Sequence, residues 1–153
     1  LDEFIQAASP GLASTEAWPA HRFSADVFVQ AAPLVQTRVV TLSEIPAMVD
    51  FLFLENPAID DDAWNKTMSA DFARTVLADF TAAIASAEWN HDSLKGILET
   101  WTEANGLKLG KTQAPIRVAI TGRTVGPPLF ESLEILGREE TIRRLTAGIA
   151  RLG

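Results

Sequence analysis

Phe72-Ala-Arg74-Thr-Val76-Leu-Ala-Asp79-Phe80-Thr-Ala-Ala83-Ile84-Ala-Ser-Ala87 is the stretch on which the fold class turns. Phe72, Val76, Phe80, Ala83, Ile84 and Ala87 recur at spacings of three and four, the period of one helix face rather than the alternation of a strand. The spacing predicts a helix over 70–87. Downstream, Leu94, Ile97, Leu98 and Trp101 repeat the pattern over 91–104, and Asn105-Gly106 supplies a left-handed stop. Pro115 suits the first position of a short helix ending at Gly122. Pro127 or Pro128 opens the next, with Leu129, Leu133 and Leu136 aligned and Gly137 closing it. A last helix takes 138–152, with Ile142, Leu145, Ile149 and Leu152 as its buried stripe.

Upstream the signals are caps and turns. Asp60-Asp61-Asp62 follows the turn pair Asn56-Pro57 and places acids at a helix N-terminus. Thr41-x-x-Glu44 matches a capping box ahead of an apolar run through Phe51, Phe53 and Leu54. Ser24 caps a helix over 25–36, in which Pro33 predicts a kink or break. Residues 1–23 mix Gly, Pro, Ser and Ala without a period and read as an irregular lead-in. Val39-Val40 and Arg117-Val118-Ala119-Ile120 tolerate a strand, but both are short and flanked by helix punctuation. The chain is therefore expected to be all-α, without internal repeats, and to divide near 51–58.

At 153 residues and 47% hydrophobic, the chain can build one ordinary domain or two small lobes. Cysteine is absent and the two histidines, His21 and His91, lie seventy residues apart, so neither a disulfide framework nor a His-rich metal site is expected. No uncharged run reaches the 18 residues or so of a membrane span. Leu1-Asp2-Glu3 is acidic, unlike the basic start of a signal peptide, and the missing initial Met suggests a piece of something longer. Net charge is −7, but it is unevenly spread. Residues 1–94 carry four basic side chains against fourteen acids, a net of −10, whereas 95–153 carry nine against six, a net of +3. That change of sign directs attention to an anionic partner of the C-terminal half; the alternative is a solvated basic helix face.

Several motifs fail on inspection. Gly110-Lys111-Thr112 resembles the end of a phosphate loop, but Asn105 stands where its first Gly belongs. The Asp60–Asp62 run lacks the alternating ligands and final Glu of a calcium loop. His91 and Ser93 are too close in a helix to face one another as a catalytic pair. Trp18, Trp64, Trp89 and Trp101 could stack bases, although Trp101 lies on an apolar stripe and is assigned to the core. The segment Pro115-Ile-Arg117-Val-Ala-Ile-Thr-Gly122-Arg123-Thr124-Val-Gly126-Pro127-Pro128-Leu129-Phe130 differs from these. It joins two helices by a Gly- and Pro-rich loop carrying Arg and Thr donors, a surface suited to a splayed single-stranded base.

That segment, together with Leu34-Val-Gln-Thr-Arg38-Val-Val-Thr41-Leu42-Ser-Glu44, Phe51-Leu-Phe53, Glu88-Trp89 and Leu107-Lys-Leu-Gly110-Lys, resembles the C-terminal region of bacterial glutamyl-tRNA synthetases, class I aminoacyl-tRNA synthetases. The likeness runs from about residue 34 to the end. It implies an all-helical anticodon-binding region, a bundle or cage of two lobes, drawn at 1–51 and 52–153. It implies that Arg38 reads the third anticodon base, and that Arg117 with the loop at Gly126, Pro127 and Leu129 holds the others. Gly126 stands where relatives often carry a small hydroxyl residue, which leaves only backbone there. The parent would be a cytoplasmic ligase attaching L-glutamate to tRNA(Glu) with ATP and Mg²⁺. The His-x-Gly-His and Lys-Met-Ser-Lys-Ser signatures of its catalytic domain, expected N-terminal to Leu1, do not occur here. The piece itself is thus expected to have no catalytic residues, metal, cofactor or membrane contact, and to be inactive alone. The rival from another class is a stand-alone helical adaptor for a protein partner, favoured by the acidic first half.

Overall fold

Helix signals in the sequence become nine α-helices and no strand in a computed structural model describing residues 1–153. The chain forms two units: Leu1–Pro57 with Gly126–Pro128, and Ala58–Val125 with Leu129–Gly153.

The first unit holds α1 (Asp2–Ser14), α2 (Ala25–Val35) and α3 (Ile45–Val49), with 3₁₀ turns at Ala20–Arg22, Leu42–Glu44 and Asp50–Leu52. The irregular lead-in expected over 1–23 is corrected: α1 spans thirteen residues despite Pro10. Phe4, Ala8 and Leu12 lie four apart and turn one face toward α2, where Phe4 meets Phe28 with ring centroids 6.4 Å apart. Ser24 caps α2 by accepting the Val27 N–H at 3.2 Å. Pro33 does not break that helix, which runs to Val35; the proline sits exposed in its last turn. Phe28, Val35, Ile45, Val49, Phe51 and Phe53 are fully or nearly fully buried and form the core. Trp18 is buried against Phe53, with centroids 4.9 Å apart, and against Phe23.

The second unit holds α4 (Asp61–Met68), α5 (Ala73–Ile84), α6 (His91–Ala104), α7 (Leu109–Thr121), α8 (Leu129–Leu136) and α9 (Arg138–Leu152). Asp60 caps α4 from the Ala63 N–H at 2.8 Å, and Asn90 caps α6 from the Ser93 N–H at 2.8 Å. α5 is central, packing on α6, α7 and α9. Its Val76, Leu77, Phe80 and Ile84 are buried, each worth about 1.5–3 kcal/mol of transfer free energy. Ala83 is exposed, and Trp101 is only half-buried, its indole N–H donating to Asp79 at 2.7 Å.

Two further expectations change. α7 starts six residues before Pro115, which lies buried within it. Thr112, in its first turn, meets Thr102 of α6 through a buried hydroxyl pair 2.7 Å apart, so Gly110-Lys111-Thr112 belongs to a helix and not to a loop. The buried stripe of α9 is rotated from the expected one: Thr141, Arg144, Leu145 and Gly148 are buried, whereas Ile142, Ile149 and Leu152 are half-exposed. At Gly148 the helices approach so closely that a Cβ would lie 3.1 Å from that of Ala119 in α7.

Candidate nucleic-acid interface

Arg38 follows the last turn of α2 and is exposed, its Nη1 donating to the Leu34 carbonyl at 2.8 Å. A guanidinium carries five donors, and this bond engages one of them. The chain just beyond it is fixed by Glu44, whose carboxylate accepts the N–H groups of Val40 at 2.6 Å and Thr41 at 2.5 Å. These bonds, Thr41 first, hold the Glu44 carboxyl below its ordinary pKa, so the brace is an ionised carboxylate at neutral pH. Val40, between arginine and brace, is 94% exposed.

In the second unit Arg117 sits half-buried on α7, one turn before the helix ends. The end is elaborately held. Gly122 takes the left-handed conformation (φ +80°), and its N–H bonds to the Val118 carbonyl at 2.8 Å. Its own carbonyl accepts the Asp60 N–H at 2.9 Å, and a Cβ here would lie 2.1 Å from the Ala58 carbonyl oxygen. Only glycine fits, on both counts. The Thr121 hydroxyl lies 2.9 Å from the Arg117 carbonyl and 3.2 Å from the Arg123 N–H, tying the helix to the strap that follows. Arg123, Thr124 and Val125 with Asp60 and Ala63 line a depression of about 330 Å³.

Of the loop residues singled out by sequence, Gly126 is half-buried, Pro127 is buried and Leu129 is 2% exposed. The last two side chains are packed in protein, so what they offer a ligand is shape and backbone. Leu129 opens α8, whose first-turn N–H groups have no intrahelical acceptor. The sequence presents Gly122 as a helix stop and Asp60 as a helix-start acid, but not the bond between them, nor the part of Thr121 in holding this helix end. A hydroxyl four residues after an arginine and directly before a stop glycine was the available signal.

The basic residues of the C-terminal half divide between exposed lysines (Lys95, Lys108 and Lys111) and arginines held by protein. The four arginines of α9 all have partners within the second unit. Arg138 lies over the Trp89 ring at 5.3 Å and bonds the Ala87 carbonyl; Arg151 lies over Trp64 at 4.3 Å and 3.6 Å from Asp61. Arg143 and Arg144 share Glu140, and the Arg143 hydrogen bond is foremost in holding that carboxyl below its usual pKa. Trp64 and Trp89 are thereby engaged by protein, and the Trp89 indole N–H also meets the Leu133 carbonyl at 3.1 Å.

His91 and Ser93 form no dyad. His91 Nδ1 and its backbone N–H both face Glu134, at 3.1 and 2.6 Å. The Glu134 hydrogen bond pushes the imidazole pKa up. No group of three or more His, Asp or Glu is placed to hold a metal ion, and no helix is long and apolar enough to cross a membrane.

Comparison with known proteins places the chain in a family. The chain is 50% identical over 155 aligned positions to the glutamate–tRNA ligase of Salinispora arenicola, and 53% over 151 positions to that of Frankia casuarinae. In both cases 98% of this chain aligns, but it spans only about a third of the relative, 33% and 32%. A solved glutamate tRNA ligase from Elizabethkingia meningosepticum, in complex with its amino acid, shares the fold with a TM-score of 0.81 at 24% identity, over 99% of this chain and 29% of that one. The sequence profile described as "anticodon binding domain" matches residues 3–149. An all-α chain with arginines at helix ends and a glycine-stopped helix before an exposed strap, matched almost end to end by that profile, belongs to the anticodon binding domain family.

Proposed function

We propose that this chain is the anticodon-recognition module of a glutamate–tRNA ligase and binds the anticodon loop of tRNA(Glu). The family match over residues 3–149 is the observation that carries this reading. The parent attaches L-glutamate to tRNA(Glu) in the cytoplasm, using ATP and Mg²⁺, with its chemistry in the two thirds of the relatives that this chain does not span. The module makes that chemistry conditional on the anticodon.

In this reading Arg38 meets the third anticodon base. Cytosine offers O2 and N3 as acceptors, which a donor-only guanidinium satisfies; guanine presents N1–H and N2–H, which it does not. Leaving such groups unpaired in a closed contact costs about 1–3 kcal/mol. The exposure of Arg38 and the ionised Glu44 brace behind it support that role. Arg117 contributes planar donors to the remaining bases. Gly126, Pro127 and Leu129 contribute a rigid backbone surface, in keeping with the burial of the Pro127 and Leu129 side chains.

Titration with RNA hairpins, at several salt concentrations because phosphate contacts make affinity salt-dependent, tests the proposal. Binding that depends on the anticodon bases is expected at every salt. A protein adaptor would bind no hairpin in an anticodon-dependent way.

A further inference from the structure

Arg144 is 5% exposed, a charge buried in the middle of α9. It donates through Nη1 to the Ile120 carbonyl at 2.9 Å and through Nε to Glu140 at 2.9 Å. Ile120 lies in the last turn of α7, where carbonyls have no intrahelical donor and carry the negative end of the helix dipole. A buried guanidinium there satisfies an acceptor that would otherwise be orphaned, and Glu140 balances its charge. Gly148, one turn further along the same face of α9, allows the close contact with Ala119 that brings the two helices within reach. The carbonyl so held is three residues from Arg117 and two from Gly122, where the strap Arg123–Val125 begins. Neither the family match nor the sequence reading gives Arg144 a part.

We infer that Arg144 is a positioning residue for base recognition: anchored by Glu140, it clamps the C-terminal end of α7 and so sets the direction of Arg117 and of the strap after Gly122. The inference rests on the anticodon reading proposed above. Arg144 acts through α7 and touches no RNA. Arg38 lies in the other unit and does not depend on this clamp, which supplies an internal control.

The experiment measures two selectivities of the 153-residue chain: the affinity for a hairpin with the glutamate anticodon relative to one altered at the second base, and relative to one altered at the third. Arg144→Met keeps the stem but loses the clamp; Arg144→Lys keeps the charge but cannot fork to both Ile120 and Glu140. Arg143→Gln removes a neighbouring charge and leaves the Ile120 bond. Both Arg144 variants are expected to lower the second-base selectivity by roughly tenfold, the scale of one lost directional contact, with third-base selectivity unchanged. Arg143→Gln is expected to change neither. Should Arg144→Met unfold by circular dichroism, Arg144→Lys decides. If both selectivities persist while all affinities fall together, Arg144 is merely structural and the inference is overturned; unchanged binding overturns it as well. A wild-type chain that distinguishes no anticodon base at all would overturn the anticodon reading itself.

Discussion

Gly122→Ala should damage the second unit far more than its single added methyl suggests. The residue has φ +80°, where a side chain costs about 1–2 kcal/mol. The methyl would also lie 2.1 Å from the Ala58 carbonyl oxygen and 2.9 Å from the Ile59 Cα, backbone atoms with no rotamer by which to escape. Residues 58–60 must therefore move, which breaks the 2.9 Å bond from the Asp60 N–H to the Gly122 carbonyl, about 0.5–1.5 kcal/mol. The move also disturbs the Asp60 cap on α4, an interaction of about 1 kcal/mol. The expected loss is about 3–4 kcal/mol, a large part of the 5–15 kcal/mol that typically separates folded from unfolded domains. Gly106→Ala is the control. Gly106 has φ +65° but open space around it, so only the conformational cost of about 1–2 kcal/mol applies. Urea denaturation followed by tryptophan fluorescence is the assay, since Trp64, Trp89 and Trp101 all lie in the second unit. Equal losses for the two variants would refute the close approach at Ala58 and the account of the strap built on it.

Other perturbations have equally definite outcomes. Arg117→Ala should weaken hairpin binding by about 1–3 kcal/mol if it makes a bidentate base contact, with helical content by circular dichroism unchanged. Arg38→Gln should narrow the preference for C over G at the third anticodon base, because an amide presents one donor group and one acceptor; two hairpins differing only there measure it. Thr112→Val should destabilise by about 1–2 kcal/mol, because the buried Thr102 hydroxyl loses its Thr112 partner, and the Thr102→Val/Thr112→Val double variant by less than the sum of the singles in a denaturation cycle. The raised pKa of His91 makes a stabilising contribution that is complete below the unfolded-state value near 6.5 and is lost as pH rises through the higher folded-state value. Above 6.5 the unfolded chain has released a proton that the folded one keeps, so stability falls with pH. Glu134→Gln should flatten that step in Tm measured against pH.

Helices bounded by side-chain caps or stop glycines are legible in the sequence because cap and stripe are local signals: Ser24 and Asp60 each accept the N–H three residues on, and Gly122 and Gly137 stop their helices at positive φ. α1 was hidden because Pro10-Gly11 carries two strong breaker residues, while packing of Phe4 and Leu12 on a neighbouring helix sustains it. α7 was shortened because Pro115 reads as a first helical residue, and tertiary burial of Thr112 and Ile116 outweighed the donor that Pro115 lacks. The roles proposed for Arg38 and Arg117 come from the family likeness, not from charge counting; four of the nine basic residues after 94 belong to α9 and engage protein partners. The burial of Arg144 had no local signature, since its partner Ile120 is twenty-four residues away and offers only a backbone carbonyl.

The central claim, that this chain reads an anticodon, is tested most directly by one affinity ratio. The 153-residue chain is titrated with a hairpin carrying the glutamate anticodon and with the same hairpin after its three anticodon bases are replaced, at a single salt concentration so that phosphate contacts cancel. The glutamate hairpin is expected to bind tighter by at least about fivefold, the effect of even one mismatched recognition contact of 1–3 kcal/mol. Equal affinity for the two hairpins would contradict it.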